Sequence, residues 1–360
     1  MTLPSAMHGA TYGRIGWLLR RAATRLVGHG PRTLGSAKPY APKAPAQAPE
    51  IFTTTATGPI QADWPAQVSR WPKIQAQAPE RRLFVVENAG LYDDDGAIYD
   101  LRTRRAFVET LDYWHIPASR HPALALRAAL PARDLAGLSL FLGGLGGQTF
   151  YHFLVDHLPR LALFAPLLGE ARRLIVQSHI EHNKLAWLRE AGCTLPVEWL
   201  GPLDHLKCER LAFTGRINGL YGATPWTLAS LASLFPPQAA PARRGRHLWA
   251  GRLGAHARAV SWEGTLIDRL PAPWEAVDFA VLSPAQVRAT MAECAVFAGL
   301  HGAAFANLAL APAGLRVLEV FSAPNYAWYP AISTLRGHDH NVLFAANPEA
   351  VLSRLNTIAR

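Results

Sequence analysis

The chain has 360 residues, half of them hydrophobic, so it can bury two cores of roughly 100 to 200 residues each and is too apolar to be one disordered chain. A total of 36 Lys and Arg against 26 Asp and Glu leaves a formal charge of +10, a field that favours nucleotide diphosphates, acidic lipid surfaces or nucleic acid. No apolar run approaches the ~18 residues that span a bilayer, and no hydrophobic stretch leads to a small-residue cleavage site near residue 1, so a cytoplasmic protein is expected.

Residues 1–80 are rich in Ala, Pro and Gln, and Pro39, Pro42, Pro45 and Pro49 make the stretch beyond residue 30 extended. Before it, Ile15, Leu18, Leu19, Ala22 and Leu26 recur at helical spacing with Arg14, Arg20, Arg21 and Arg25 between them. A basic amphipathic helix over 14–27 suits either docking on its own domain or contact with an anionic membrane. Order begins near Arg82, with strands at 83–87 and 97–101 joined through Asp93, Asp94, Asp95 and Gly96. The triplet looks like the D-x-D metal motif of many sugar transferases, but Asp followed by Gly between two strand-like runs is turn chemistry.

From Leu138 the pattern alternates: a strand at 139–142, a Gly-rich turn, a helix over 150–168, a strand at 174–177 and a helix ending near Gly192. Pro236, Pro237, Pro241 and the basic Arg243, Arg244 and Arg246 mark a linker. Strands at 247–250, 276–281, 295–298 and 316–321 follow, and the helix after the second of these opens with Ser283 as N-cap, Pro284 and Gln286. The expected fold class is α/β, with two Rossmann-like domains facing across a cleft and ligand at the carboxyl ends of strands. The domains are an extension (1–80), an N-terminal α/β domain (81–235), a linker (236–245), a C-terminal domain (246–345) and a final helix (346–360).

Cys193, Cys208 and Cys294 form no close C-x-x-C pair, so buried free thiols are expected, with neither a disulfide framework nor a zinc site. Lys and Arg are spread along the chain without helix-turn-helix or zinc-finger spacing, so no nucleic-acid partner is expected. The sharpest local signal is the run from Phe297 to Asn307, Phe-Ala-Gly-Leu-His-Gly-Ala-Ala-Phe-Ala-Asn. A buried strand entering a small-residue turn and a helix leaves backbone N–H groups free to bind a diphosphate. Gly302 and Ala303 would let phosphates approach, and His301 would donate a hydrogen bond to them. The same run also fits a Gly-rich turn whose histidine is satisfied within the fold.

With Pro312, Gly314 and Val317-Leu318-Glu319, this run resembles the motif H-G-A-G-x-x-N, P-x-G and V-x-E of the family-61 glycosyltransferases. Trp249-Ala250-Gly251-Arg252, followed by Arg258 and Trp262-Glu263, resembles that family's strand ending in Arg, loop Arg and Asn-Glu pair. The segment from Tyr151 to Leu161 resembles its Y-H-x-x-x-D-x-L-P-R-L element. Ala304, Leu300 and Trp262 depart from the usual Gly, Pro and Asn, and the last removes a polar group near the expected nucleotide. The resemblance covers roughly residues 80–345. It implies a GT-B fold, a nucleotide-sugar donor held by the C-terminal domain with no metal or other cofactor, and inversion at the anomeric carbon.

On a helical wheel Phe150, Leu154, Leu158, Leu161 and Phe164 form an apolar stripe that includes His157, a packed histidine, while His152 and Asp156 lie opposite within reach of each other. That pair suits proton acceptance, or else forms a solvated polar face. Arg252 and Arg258 suit a diphosphate clamp, although each alone also fits a surface arginine. Glu263 serves either as a helix-terminal carboxylate or as a ribose acceptor, Glu319 as the better ribose acceptor, and Asn307 as a brace of the turn.

The expected activity is therefore inverting transfer of a sugar from a nucleotide sugar to a glycan or lipid-linked glycan acceptor, in surface or capsular polysaccharide synthesis. The catalytic pair would be His152 and Asp156. A non-catalytic nucleotide-sugar-binding protein of the same fold is the first alternative. A hydrolase using His152 and Asp156 is the second, weakened by the lack of a nucleophile elbow or carboxylate pair.

Overall fold

The computed structural model describes residues 33–35, 81–93, 96–111, 132–202, 204–218, 222–236, 245–252, 259–322 and 328–358. The 14–27 helix, Asp94, Asp95, linker residues 237–244 and Arg258 lie outside the described residues. Contacts divide the chain into two units, one holding Pro79–Leu185 and Thr194–Ile217, the other Ala186–Cys193 and Asn218–Arg360.

In the first unit the strands are β1 (Thr33–Gly35), β2 (Leu83–Tyr92), β3 (Ala97–Asp100), β4 (Arg105–Phe107), β5 (Arg133–Leu142), β6 (Arg173–Gln177), β7 (Val197–Leu200) and β8 (His205–Thr214). Helix α1 spans Glu181–Glu190. The sheet order is β1-β4-β3-β2-β8-β5-β6-β7. This is a mixed sheet, consistent with an α/β fold. Strand β2 pairs antiparallel with β3 and β8, while β8, β5, β6 and β7 run parallel. Alternation along β8, with Leu206 and Cys208 buried and Lys207 and Glu209 exposed, is the half-buried pattern of such a strand. Phe84, Leu91, Ile98, Phe141, Ile175 and Phe213 fill the core.

The expected turn between β2 and β3 is present in its described residues. Tyr92 pairs with Ala97, Gly96 N donates to Asp93 O at 2.9 Å, and Asp93 has φ +62. The expected single helix over 150–168 is instead a succession of short pieces. An α turn (Phe150–His152) passes into a π turn (Phe153–His157), a 3₁₀ turn (Leu158–Arg160), an α turn (Leu161–Phe164) and another 3₁₀ turn (Ala165–Leu167). Pro159 and Pro166 explain the change: each lacks an N–H, and its ring crowds the carbonyl four residues back, so the regular ladder cannot continue.

Helix α2 (Pro225–Leu234) belongs with the second unit. Its other elements are β9 (Arg246–Ala250), α3 (Glu263–Asp268), β10 (Trp274–Val277), α4 (Pro284–Glu293), β11 (Cys294–Leu300), a 3₁₀ helix (Ala303–Leu310), β12 (Arg316–Phe321), α5 (Tyr329–Arg336), β13 (Asp339–Phe344) and α6 (Pro348–Ile358). All five strands run parallel in the order β10-β9-β11-β12-β13. The chain therefore reverses its winding between β9 and β11, where the crevice outside the strand ends receives ligands in sheets of this kind. Trp249, Leu266, Val296, Leu318, Val351 and Leu355 form the core beneath.

The strand expected at 276–281 ends at Val277, because Asp278 Oδ1 accepts from Ala280 N at 2.9 Å and turns the chain. A 3₁₀ helix replaces the helix expected after His301. Cys208 and Cys294 are buried thiols, each pushed up to about 12 chiefly by burial, whereas Cys193 is partly exposed.

The N-terminus of α4 forms as its sequence requires: Gln286 N donates to Ser283 Oγ at 3.3 Å, and Ser283 N donates to Gln286 Oε1 at 2.9 Å. Replacing Ser283 with Ala is expected to lower unfolding free energy by about 1 kcal/mol. A urea titration checks this; an unchanged midpoint would show that the cap adds nothing to the second unit.

Candidate functional site

The site in the second unit grows from the carboxyl ends of β9 and β11. After β9, Gly251 N donates to Val277 O at 3.0 Å, and Arg252 N donates to Glu263 Oε1 at 3.0 Å. The same oxygen accepts from Trp249 Nε1 at 3.2 Å. Glu263 is buried, and burial pushes its carboxyl up despite these bonds and the nearby Arg252 charge. It stands in the first turn of α3, whose N-cap Trp262 makes no side-chain capping bond. Its place in the structure is to hold the Arg252 backbone. Trp262 beside it packs against the core of the unit.

Arg252 Nη1 donates to the His301 carbonyl at 2.6 Å. A Cβ on Gly302 would stand 1.9 Å from the same Nη1, so the missing side chain admits the guanidinium. Ala303 begins the 3₁₀ helix and is partly exposed.

His301 is fixed on several sides. Its N–H donates to Val320 O at 2.8 Å, its ring stacks on Phe321 at 4.6 Å and lies 5.3 Å from Tyr329, and its Nδ1 bonds Glu319 Oε1. Nε2 is the ring nitrogen not engaged by Glu319. Glu319 is fully buried, and its Oε2 bonds His340 Nε2 at 3.0 Å. Burial alone would raise its carboxyl, but the hydrogen bonds and charges of His301 and His340 prevail and hold it below the usual carboxylate value. Each of its oxygens is thus bonded to a histidine within the fold.

His340 and Ser333, whose Oγ lies 2.7 Å from His340 Nδ1, were not singled out by the sequence. Asn307 is fully buried, and neither its Oδ1 nor its Nδ2 has a hydrogen-bond partner among the described residues. The expected bracing contact is therefore absent there. Among the described residues no group of three or more His, Cys, Asp or Glu is arranged to hold a metal ion.

The expected catalytic pair lies in the first unit, after the glycine-rich turn that follows β5. His152 Nδ1 and Asp156 Oδ2 are 2.5 Å apart, with side chains 13% and 21% exposed. The pair is thus largely enclosed rather than a solvated face. Gly146, at φ +80, permits the approach, since a Cβ there would meet His152 Cδ2 at 2.5 Å. Arg160 braces the turn, with Nε donating to Asp156 O at 2.7 Å and Nη1 to Gly143 O at 2.8 Å. Burial first, against the Asp156 charge, pushes this guanidinium down to about 10. His157 is packed as expected; burial, then the charges of Arg160, His152 and Lys184, hold its imidazole well below the usual value.

Residues 150–318 match the family model described as Glycosyltransferase 61. The matched stretch includes His152, Asp156, Arg252, Glu263, His301, Gly302, Ala303 and Asn307, while Glu319 and His340 lie just beyond it. No curated protein matches the chain.

Because the Glu319 carboxyl is held below its usual value, its contribution to stability is full above the ordinary carboxylate range and is lost as pH falls through the lowered value. Glu319→Gln is expected to cost about 1 to 3 kcal/mol at pH 7, and the gap from the unsubstituted protein should close as pH falls below the ordinary carboxylate range. Urea midpoints across that range test this. A gap independent of pH would mean that Glu319 is not ionised in the folded protein.

Proposed function

Residues 150–318 belong to glycosyltransferase family 61, and on that premise we propose that the protein transfers a sugar from a nucleotide-sugar donor to a glycan or lipid-linked glycan acceptor, inverting the anomeric carbon. The observation that carries the donor site is the meeting of Arg252 with the His301 backbone where the parallel sheet reverses its winding. A guanidinium fixed there and an imidazole Nε2 on the same turn suit the two charged phosphates of a nucleoside diphosphate. They supply positive charge as the bond from the anomeric carbon to phosphate oxygen breaks, so the proposal requires no metal. The unpartnered Asn307 amide is assigned to the same donor, since a buried amide left unpaired costs about 1 to 3 kcal/mol.

Proton acceptance is assigned to His152 and Asp156. With Nδ1 held by the carboxylate, His152 offers Nε2 to an acceptor hydroxyl. The acceptor oxygen forms the new bond to the anomeric carbon, its proton passes to the imidazole, and the nucleoside diphosphate leaves. A cytoplasmic setting in surface or capsular polysaccharide synthesis belongs to this proposal, with residues 14–27 as a contact to the inner membrane face. Among the described residues no helix is long and apolar enough to cross a membrane.

Calorimetry with nucleoside diphosphates in EDTA tests the donor site. Arg252→Ala and His301→Asn, the latter keeping a donor near Glu319 while deleting Nε2, should each weaken binding by about 1.5 to 3 kcal/mol. Binding that needs a divalent metal, or survives both changes, would overturn the assignment. Asp156→Asn and His152→Gln should retain donor affinity and lower turnover by roughly 10²- to 10⁴-fold with a verified acceptor. Normal turnover in both would leave the pair without a catalytic role.

A further inference from the structure

One face of three adjacent parallel strands presents a polar chain in an otherwise apolar core. Gly299 pairs with Glu319, and Val317 pairs with His340. Because side chains alternate along strands, His301, Glu319 and His340 fall on the same face, each displaced by two residues from direct register. Helix α5 covers that face: Tyr329 lies 5.3 Å from the His301 ring, and Ser333, one turn later, lies 2.7 Å from His340 Nδ1. The His340 side chain is 5% exposed and Glu319 is not exposed at all.

A buried carboxylate must satisfy both oxygens, because a charged group left short of a partner in the interior costs more than any single bond returns. His301 occupies Oε1, and His340 occupies Oε2. Without His340 the carboxylate would turn toward another donor and carry the bond to His301 Nδ1 with it. Nδ1 and Nε2 are on opposite sides of one rigid ring, so fixing the first sets where the second points. Stability alone does not require this arrangement, since apolar replacement of a buried charged group is often neutral or stabilising.

We propose that His340, braced by Ser333, is a positioning residue that acts through Glu319 to fix the ring of His301, with Nδ1–H on the carboxylate, so that an Nε2–H is aimed at the diphosphate of the donor. This inference rests on the donor site proposed above. His340 does not itself touch the ligand. It acts as the orienting group of a carboxylate–imidazole pair, one step further back.

The test uses the full chain with ¹⁵N-labelled histidine, the His301 signal being identified by its loss in His301→Asn, together with calorimetry against uridine, guanosine, adenosine and cytidine diphosphates. With diphosphate bound, the unsubstituted protein is expected to show one set of His301 ring signals, with Nδ1–H on Glu319 and Nε2–H on phosphate. His340→Leu should broaden or split that set and weaken the preferred diphosphate by about tenfold or more, while His340→Gln, whose amide can still donate to Oε2, should stay within about threefold. Ser333→Ala, a smaller change, should already broaden or split the His301 signal, and it decides the matter if the leucine variant does not fold. A folded His340→Leu or Ser333→Ala protein with an unchanged His301 signal and unchanged affinity overturns the inference. If the unsubstituted protein binds none of the four diphosphates, the donor reading fails; a His301 ring signal that still depends on His340 would then support the positioning claim by itself.

Discussion

A carboxylate removed from water costs several kcal/mol unless each oxygen is answered by a donor and its charge is offset. Glu319 meets that demand in the middle of the second unit's sheet, fully buried, with His301 on one oxygen and His340 on the other. The surrounding structure follows from it. Parallel register brings the three strands' side chains to one face, α5 seals that face with Tyr329 and Ser333, and His301 is left with a single ring nitrogen directed away from the carboxylate. Glu263 does the matching work on β9. It takes up Trp249 Nε1 and Arg252 N, and so sets the guanidinium against the His301 carbonyl. Two buried carboxylates thus hold the two groups to which the donor is assigned.

Much of this was legible in the sequence, in a particular way. The i, i+4 spacing of His152 and Asp156 was enough to infer contact, because both helical and π turns keep such residues on neighbouring faces. The capping box at Ser283 was readable for the same reason: its determinants are local. Gly302 was recognised as a position that needs no side chain, but the atom that fills the space is Arg252, fifty residues earlier in the chain, and nothing local announces that. His340 was missed because β13 begins Asp-His-Asn, too polar to be read as a strand, and because its partner lies on a neighbouring strand. The prolines at 159 and 166 were visible, yet the strength of the apolar stripe favoured one continuous helix. In the first unit, long-range antiparallel pairing of β2 with β8 set the sheet type, and pairing partners are what single-strand patterns do not carry.

The two groups of candidate residues also differ in kind. Those in the second unit form a rigid frame in which the ring of His301 is clasped by stacking and hydrogen bonds, a preorganisation suited to charge that develops on a leaving group. The pair in the first unit sits on a segment whose backbone changes helical type within a few residues, next to a glycine turn tied down by Arg160 and Gln177. π turns are frequent at functional positions because they shift side chains out of the regular helical lattice, which is consistent with the role proposed for the pair, whose Asp156 lies in the π turn.

The central claim is that the turn between β11 and the 3₁₀ helix, with Arg252 beside it, receives the diphosphate of the donor. A crystal structure with bound nucleoside diphosphate tests it most directly. The account predicts phosphate oxygens at about 2.7 to 3.2 Å from His301 Nε2 and from the Arg252 guanidinium, at the carboxyl ends of β9 and β11. A diphosphate bound elsewhere in the second unit, or held by the first unit instead, would contradict it.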